Sequence, residues 1–177
     1  MAVFRHLLLA LFALGLTLAP ARLARASDSV NNDLPVHVLA PDYAVSAQMQ
    51  VQDIKAAAAD GYVLIINNRP DGESAGQPRS ADLARAAAEA GIAYVHIPFA
   101  PGHLSADVVQ KMQTAMAAHP GKTRAFCRSG GRATSAWAMS KTALGEIEPD
   151  AAIKAAARAG YDLRRQRARL QAAAAGQ

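Results

Sequence analysis

A short segment rich in glycine and arginine separates a predicted strand from a predicted helix, and it constrains the fold more than any other feature. Residues 124–126 are predicted to end a buried strand, residues 127–132 (Cys-Arg-Ser-Gly-Gly-Arg) to form a tight loop, and residues 133–141 to form a helix. This order directs backbone N–H groups and a helix N-terminus toward a bound anion. The same donors stabilise a thiolate, so we interpret Cys127 as a nucleophile.

Cys127 is the only cysteine among the 177 residues. A lone cysteine is often a buried core thiol, but two arginines and two glycines within the next five residues favour a reactive group. A single cysteine excludes an internal disulfide, a CxxC redox pair and a Cys-rich zinc site. The five histidines lack the spacing of metal ligands, so we predict neither a metal nor another cofactor.

The N-terminus has the parts of a secretory signal peptide, which we assign to residues 1–26. A short basic region precedes an apolar run over residues 7–18 and an Ala-Arg-Ala cleavage site at residues 24–26. The run is too short to span a bilayer. We therefore predict cleavage after Ala26, a periplasmic or secreted product and no stable membrane insertion afterwards, with an uncleaved anchor as the alternative. Residues 27–177 would then form a single domain.

The charge of the predicted mature chain is close to neutral. Three of the 19 Lys and Arg residues precede residue 27, which leaves 16 basic against 14 acidic side chains, a net charge of +2. This balance gives little support to a nucleic-acid partner, and we predict none. Four arginines cluster near the C-terminus, where a solvated helix face is favoured over a surface for acidic lipid or a partner: Arg164, Arg165, Arg167 and Arg169.

Strand and helix patterns alternate along the rest of the chain. The pattern predicts an α/β fold, with a mostly parallel sheet flanked by helices on both faces. Predicted strands cover residues 36–39, 43–45, 62–66 and 93–98, and further predicted helices cover residues 50–59, 80–90, 105–118, 149–159 and 162–173. Loops at the carboxyl ends of parallel strands form the site in such sheets. We expect three loops to converge there, at residues 67–73, 100–103 and 127–132.

Four motifs occur in a set order and together resemble a known family. They are Ile-Ile-Asn-Asn-Arg-Pro-Asp-Gly-Glu (65–73), Gly-Gln-Pro (76–78), Tyr-Val-His-Ile-Pro (94–98) and the Cys-Arg-Ser-Gly-Gly-Arg loop with Trp137. The chain resembles the phosphatase-like domain of the beta-lactamase hydrolase-like proteins, which has a protein tyrosine phosphatase-like fold and is also described as sulfurtransferase-like. A closing Ala-Gly-Tyr-Asp-Leu (159–163) is similar to the tail of that family.

The resemblance implies a cysteine-dependent phosphatase acting on phosphate monoesters or another oxyanion substrate. Cys127 would attack phosphorus to give a cysteinyl-phosphate, which water then hydrolyses. Arg132 would hold two non-bridging oxygens with its guanidinium. The remaining anion contacts would come from backbone N–H groups of the loop: Arg128, Ser129, Gly130 and Gly131.

The loop departs from the tyrosine phosphatase pattern at several positions. Those enzymes have His before the cysteine and five residues between cysteine and arginine, whereas here Phe126 precedes the cysteine and only four residues intervene. The Ser or Thr that usually follows the arginine is Ala133, and Thr134 could replace it only in a shifted register. The shorter loop is similar to that of rhodanese-type sulfurtransferases, in which the cysteine carries a persulfide.

The general acid and the outer substrate contacts are less defined. The loop at residues 99–103, which usually supplies an aspartate, has no carboxylate before Asp107, and Asp107 fits the first turn of a helix. Asp71 and His103 are the remaining candidates, and Asp71 is favoured, with a turn alongside Gly72 as its alternative.

Two arginines besides Arg132 could also contact substrate. Arg69 is either a second anion clamp or a structural partner of Glu73, and Arg128 is predicted to point outward toward substrate. Three functions stay open at this point: an exported phosphatase, a sulfurtransferase carrying persulfide on Cys127, and a non-catalytic module that binds anions.

Overall fold

The computed structural model describes residues 34–176, which lie in one compact unit. The predicted signal peptide and its cleavage site lie outside the described residues. The strands are β1 (Val36–Ala40), β2 (Tyr43–Ser46), β3 (Tyr62–Asn67), β4 (Ala93–His96) and β5 (Lys122–Phe126). The helices are α1 (Val51–Ala59), α2 (Ser80–Glu89), α3 (Ala106–Ala118), α4 (Gly131–Ala143), α5 (Pro149–Arg158) and α6 (Arg167–Ala174), with a 3₁₀ turn at Arg164–Gln166.

The five strands form one sheet in the order β1-β2-β5-β3-β4. Strand β5 lies in the centre and is parallel to both neighbours, pairing Ala125 with Val45 of β2 and with Ile66 of β3. Strand β4 is parallel to β3, and only β1 runs antiparallel, as a hairpin with β2. The α/β class and the mostly parallel sheet predicted from the sequence are confirmed.

Helices cover both faces of the sheet because the central strands are apolar on both sides. On one face, side chains such as Leu64 and Ile66 pack with α3, α4, α5 and α6 around the buried Trp137. On the other face, Ile65 and Phe126 pack with α1 and α2. Because side chains on both faces of the sheet are buried, the position and direction of β5 are fixed. The position of the loop that follows β5 is therefore fixed as well.

Three elements differ from the sequence predictions by two residues or more. Strand β4 ends at His96 rather than continuing to Pro98, whose nitrogen has no hydrogen to donate to a sheet. Helix α4 begins at Gly131, two residues earlier than predicted, so that Arg132 lies in its first turn. The predicted helix over residues 162–173 is a 3₁₀ turn followed by α6.

The C-terminal arginines are partly engaged by their surroundings. Arg164 pairs with Asp162, Arg167 pairs with Asp150, and Arg169 donates to the carbonyl of Leu104. Within residues 34–176, no helix combines the length and apolar character needed to cross a bilayer.

Candidate active site

Cys127 is held where the central strand β5 meets α4. The residue is 1% exposed, and its sulfur accepts a hydrogen bond from the backbone N–H of Gly130 (3.2 Å). Helix α4 begins at the residue after Gly130, so its N-terminal N–H groups face the same region. We call residues 127–132 the cysteine loop. Its arrangement places a backbone donor and the N-terminus of α4 next to a buried sulfur.

The two glycines of the cysteine loop have different structural roles. Gly130 is left-handed (φ +90°), and a Cβ placed on it would lie 2.0 Å from the hydroxyl of Tyr161. Only glycine fits both the backbone conformation and this close approach. Gly131 has neither constraint, since a Cβ placed there would have Ser129 Oγ as its nearest neighbour, at 3.9 Å. The loop therefore depends on Gly130 for its shape.

Thr134 supports the cysteine loop from within α4. Both its backbone N–H and its hydroxyl donate to the carbonyl of Gly130 (2.9 Å each). The hydroxyl is thereby committed to the backbone, while Ala133 beside it is fully buried and has no polar side-chain group. Thr134 thus fixes the loop, and its contact is with Gly130 rather than with the sulfur.

Arg132 is anchored by a carboxylate from another loop. Its Nη1 and Nη2 donate to the two carboxylate oxygens of Glu73 (2.6 and 2.8 Å), and Nη1 also donates to the carbonyl of Phe99 (2.8 Å). The Arg132 side chain is only 9% exposed. Its hydrogen bonds to Glu73 raise the pKa of Arg132, and the negative charge of Cys127 adds to this effect. The guanidinium is therefore a fixed cation beside the sulfur.

Glu73 joins two arginines. Arg132 and then Arg69 donate to its carboxylate, and these hydrogen bonds lower the pKa of Glu73 to about 2. Arg69 reaches Glu73 through Nε (2.9 Å) and also donates to Gln48 and Ser74. Of the two alternatives for Arg69, the contacts favour the structural partner of Glu73. Its predicted role in binding substrate stays a prediction.

Asp71 lies in the segment between β3 and α2, which we call the β3–α2 loop (residues 68–79). One of its oxygens accepts from the backbone N–H of Ser80 (2.8 Å), the first residue of α2. The carboxylate thus satisfies a donor that the helix itself leaves free. This contact favours helix capping over the proton-donor role predicted for Asp71, which stays a prediction.

The other predicted site residues lie at the surface. Arg128, Ser129 and His103 are exposed, in keeping with an outer contact to a ligand. Asp107 lies in the first turn of α3, as expected, and pairs with Lys111. The contacts with substrate that the sequence suggested for the exposed residues remain predictions.

Hydrogen bonds at the carboxyl edge of the sheet join the segments that lead into the three predicted loops. Asn68 N–H donates to the carbonyl of Phe126 (2.8 Å), and Ile97 N–H donates to the carbonyl of Asn67 (2.9 Å). The ring nitrogen Nε2 of His96 lies 2.9 Å from the carbonyl of Arg69. A cavity of about 290 Å³ next to Arg132 is lined by residues that include Phe99, Pro101, Gly102 and Leu104.

Sequence reasoning missed the roles of two side chains at this site. The sequence indicates Glu73 only as a partner of Arg69, because its contact with Arg132 spans 59 positions. Tyr161 stands out only as part of the C-terminal motif, yet its hydroxyl donates to the carbonyl of Ser129 (3.2 Å). Both residues lie within the ordered family motifs, and this is the feature of the sequence that points to them.

Among residues 34–176, no group of three or more His, Cys, Asp or Glu side chains is arranged to hold a metal ion.

The fold and the position of the cysteine loop define a protein tyrosine phosphatase-like α/β protein. A candidate phosphatase from Neisseria meningitidis Z2491 superposes with a TM-score of 0.68 at 28% identity, covering 77% of this chain and 96% of that one. The kinase-associated phosphatase superposes with a TM-score of 0.63 at 18% identity, covering 81% and 97% of the two chains, which shows the shared fold.

Sequence similarity identifies the family to which the chain belongs. The family described as "Beta-lactamase hydrolase-like protein, phosphatase-like domain" matches residues 35–144, so the chain belongs to this family. A beta-lactamase hydrolase-like protein from Xylella fastidiosa is 34% identical over 122 residues, which is 69% of this chain and 28% of the relative. The chain thus spans little more than a quarter of that curated relative. Its similarity to phosphatases supports a phosphatase-like function.

Proposed function

We propose that this chain is a cysteine-dependent phosphatase that uses Cys127 as its nucleophile. The thiolate would attack a phosphate monoester, forming an S–P bond while the P–O bond to the leaving group breaks. The leaving oxygen takes up a proton from solvent, and water then cleaves the S–P bond to release inorganic phosphate and a proton and to restore the thiolate. The chemistry requires no cofactor.

The observation that carries this proposal is the environment of the sulfur. A backbone N–H donates to Sγ, the N-terminus of α4 lies beside it, and Arg132 supplies a fixed positive charge. Each of these stabilises a thiolate and, in the transition state, the charge on the phosphoryl oxygens. A thiol buried only for packing would gain nothing from this set of donors.

Glu73 determines how Arg132 can meet a phosphate. Because Nη1 donates to both Glu73 and Phe99, and one hydrogen of Nη2 is directed at Glu73, the terminal end of the guanidinium is occupied. The edge formed by Nε–H and the second hydrogen of Nη2 is the one available to two phosphoryl oxygens. The bidentate contact predicted for Arg132 would use this edge.

The decisive test is phosphate release from an aryl phosphate by freshly reduced protein, compared with Cys127→Ser. We expect turnover in the wild type, inhibition by vanadate, and loss of turnover in the variant with retained vanadate binding. Absence of phosphate release from any of several aryl esters by folded, reduced protein would contradict the proposal. Vanadate binding without turnover would instead indicate a non-catalytic anion-binding module.

One observation favours a second candidate, sulfur transfer through a persulfide on Cys127. The carboxylate of Asp71 is engaged by α2, and transfer of sulfur to a thiol acceptor has less need of a strong proton donor than expulsion of an alkoxide. The Cys127 thiolate would attack the outer sulfur of thiosulfate and expel sulfite, so incubation with thiosulfate would add the mass of one sulfur atom to the wild type but not to Cys127→Ser. An unchanged intact mass would rule against this candidate.

We also propose that the mature protein acts after export, on the strength of the N-terminal sequence. Expression of the full chain in a Gram-negative host should give a periplasmic or secreted product that begins at Ser27 by mass spectrometry. A cytoplasmic product that retains residues 1–26 would contradict this assignment.

A further inference from the structure

One peptide unit of the cysteine loop, between Ser129 and Gly130, is hydrogen-bonded at both ends. Its N–H belongs to Gly130 and donates to the sulfur of Cys127 (3.2 Å). Its carbonyl belongs to Ser129 and accepts from the hydroxyl of Tyr161 (3.2 Å). The tyrosine and the cysteine therefore contact opposite ends of the same planar group.

The planarity of the peptide links these two contacts. In a trans peptide the C=O and N–H bonds point in opposite directions, so fixing one direction fixes the other. While Tyr161 holds the carbonyl of Ser129 away from the sulfur, the N–H of Gly130 has to point toward it. A rotation of this peptide would turn a carbonyl oxygen toward Cys127 in place of a donor.

Tyr161 is itself held in place from two sides. It follows Gly160, whose left-handed conformation (φ +87°) ends α5, and its own N–H donates to the carbonyl of Ala156 (2.8 Å). Its ring packs edge-on against that of His37 on β1, with the centroids 5.3 Å apart at an interplanar angle of 75°. The hydroxyl is thus presented to the loop by a fixed side chain.

The protonation state of Tyr161 suits a hydrogen-bond donor. Burial and the negative charge on Cys127 both raise the pKa of Tyr161, so the hydroxyl keeps its proton over the physiological range. A donor at the carbonyl also polarises the peptide, which makes the N–H of Gly130 a stronger donor to the sulfur.

We propose that Tyr161 is a positioning residue that holds the Ser129–Gly130 peptide in the orientation that presents the Gly130 N–H to Cys127. This inference rests on the proposed function only in taking Cys127 as the reactive group. Tyr161 does not touch the substrate in this account. It acts through the peptide, and its effect on the reaction follows from the state of the thiolate.

Tyr161→Phe tests this role, because it removes the hydroxyl and leaves the ring that packs on His37. The probe is iodoacetamide, whose rate of reaction with Cys127 is measured as a function of pH. The charge on Cys127 adds to the upward shift in the pKa of both Arg132 and Tyr161, and only Tyr161 is changed. We expect the midpoint of the alkylation profile to rise by about one pH unit.

Tyr62→Phe is the matched control. It also removes one tyrosine hydroxyl, but Tyr62 begins β3 at the opposite edge of the sheet, where its ring lies under the ammonium group of Lys122. We expect its alkylation profile to match that of the wild type. An unchanged midpoint in Tyr161→Phe would overturn the proposal, as would equal shifts in both variants.

A second measurement reports on the peptide directly. In ¹⁵N-labelled protein, the amide signal of Gly130 in Tyr161→Phe should move further than that of Gly131 and should exchange faster with solvent. A Gly130 amide unchanged in both respects would overturn the proposal. Neither alkylation nor the amide signal requires turnover, so either result stands even if the protein releases no phosphate.

Discussion

The cysteine loop and the β3–α2 loop follow neighbouring parallel strands and lie at the same edge of the sheet, yet they use their polar groups in opposite ways. The first directs the backbone N–H of Gly130 at the sulfur of Cys127 and depends on Gly130 for its shape. The second uses its charged side chains to bind the protein itself, since Asp71 caps α2 and Arg69 is bound to Glu73.

This contrast shows which polar residues remain available for chemistry. A charged side chain next to a site is not by itself a ligand-binding group, because its hydrogen bonds can already be satisfied. Glu73 is where the two loops meet, since it links Arg69 of one to Arg132 of the other. We therefore propose that the β3–α2 loop supports the cysteine loop, and that substrate would contact the cysteine loop.

Replacing one arginine in each loop should give the largest difference in activity between the two loops. Arg132→Lys keeps the charge but loses the planar guanidinium that spans Glu73 and an anion, so we expect kcat/KM to fall by about 10²–10³-fold. Arg69→Lys removes a buried contact to the same carboxylate and should reduce kcat/KM by about tenfold or less. Thermal melts establish that both variants are folded. Equal losses of kcat/KM in the two variants would contradict the different roles assigned to the two loops.

Alanine substitutions at the two glycines of the cysteine loop test whether the loop needs glycine at both positions or only at Gly130. Gly130→Ala places a methyl group against the hydroxyl of Tyr161 at a left-handed position, which should lower the free energy of unfolding by about 1–3 kcal/mol. Gly131→Ala meets only Ser129 Oγ at 3.9 Å and should leave stability nearly unchanged. Urea unfolding compares the two, and a destabilised Gly131→Ala would contradict this account of the loop.

Glu73→Gln tests the link between the loops. Glutamine is nearly the same size, but its amide can accept from only one of the two Arg132 nitrogens. We expect kcat/KM to fall by about tenfold, because Arg132 is held less firmly. Steady-state kinetics with an aryl phosphate measure this, with Glu146→Gln as a control in an exposed pair with Lys141. A variant as active as the wild type would disprove the positioning role of Glu73.

The same substitution gives a prediction for pH. Since the folded-state pKa of Glu73 is lowered to about 2, its contribution to stability is fully present above the unfolded value of about 4.3. That contribution is lost as the pH falls from about 4.3 toward 2. The difference in unfolding free energy between wild type and Glu73→Gln should therefore shrink between about pH 5 and about pH 2. A constant difference would count against the ion pairs.

Asp71→Asn should have the smallest effect of the series. Asparagine keeps an oxygen that can accept from the N–H of Ser80, so kcat should change by less than about threefold, while Asp71→Ala should cost about 1 kcal/mol of stability. The pH profile of kcat is the informative measurement. A hundredfold loss in Asp71→Asn, with the basic limb of the profile removed, would assign Asp71 as the proton donor.

The features that depend on local patterns could be predicted from the sequence. The apolar run at the start of β3, the strand before Cys127 and the glycines after it are all readable within a few residues. Three loops converging at one sheet edge followed from the parallel topology. The resemblance to the family, carried by four ordered motifs, is confirmed by the family match over residues 35–144.

The remaining features depend on contacts between distant parts of the chain. Tyr161 reaches Ser129 across 32 positions, and Glu73 reaches Arg132 across 59. Spacing along the sequence does not reveal such pairs. For the same reason, a polar loop that holds itself together has the same composition as one that binds a ligand, which is why Asp71 and Arg69 were candidates.

Trapping the covalent intermediate shows directly whether Cys127 in the cysteine loop is the nucleophile. Reduced wild-type protein would be mixed with an aryl phosphate, quenched in acid within milliseconds and analysed by intact mass and peptide mapping. We predict one added phosphoryl group on the peptide that contains Cys127, absent from Cys127→Ser and present at normal or higher occupancy in Asp71→Asn. Phosphate release without any phosphoryl group on Cys127 would contradict the account.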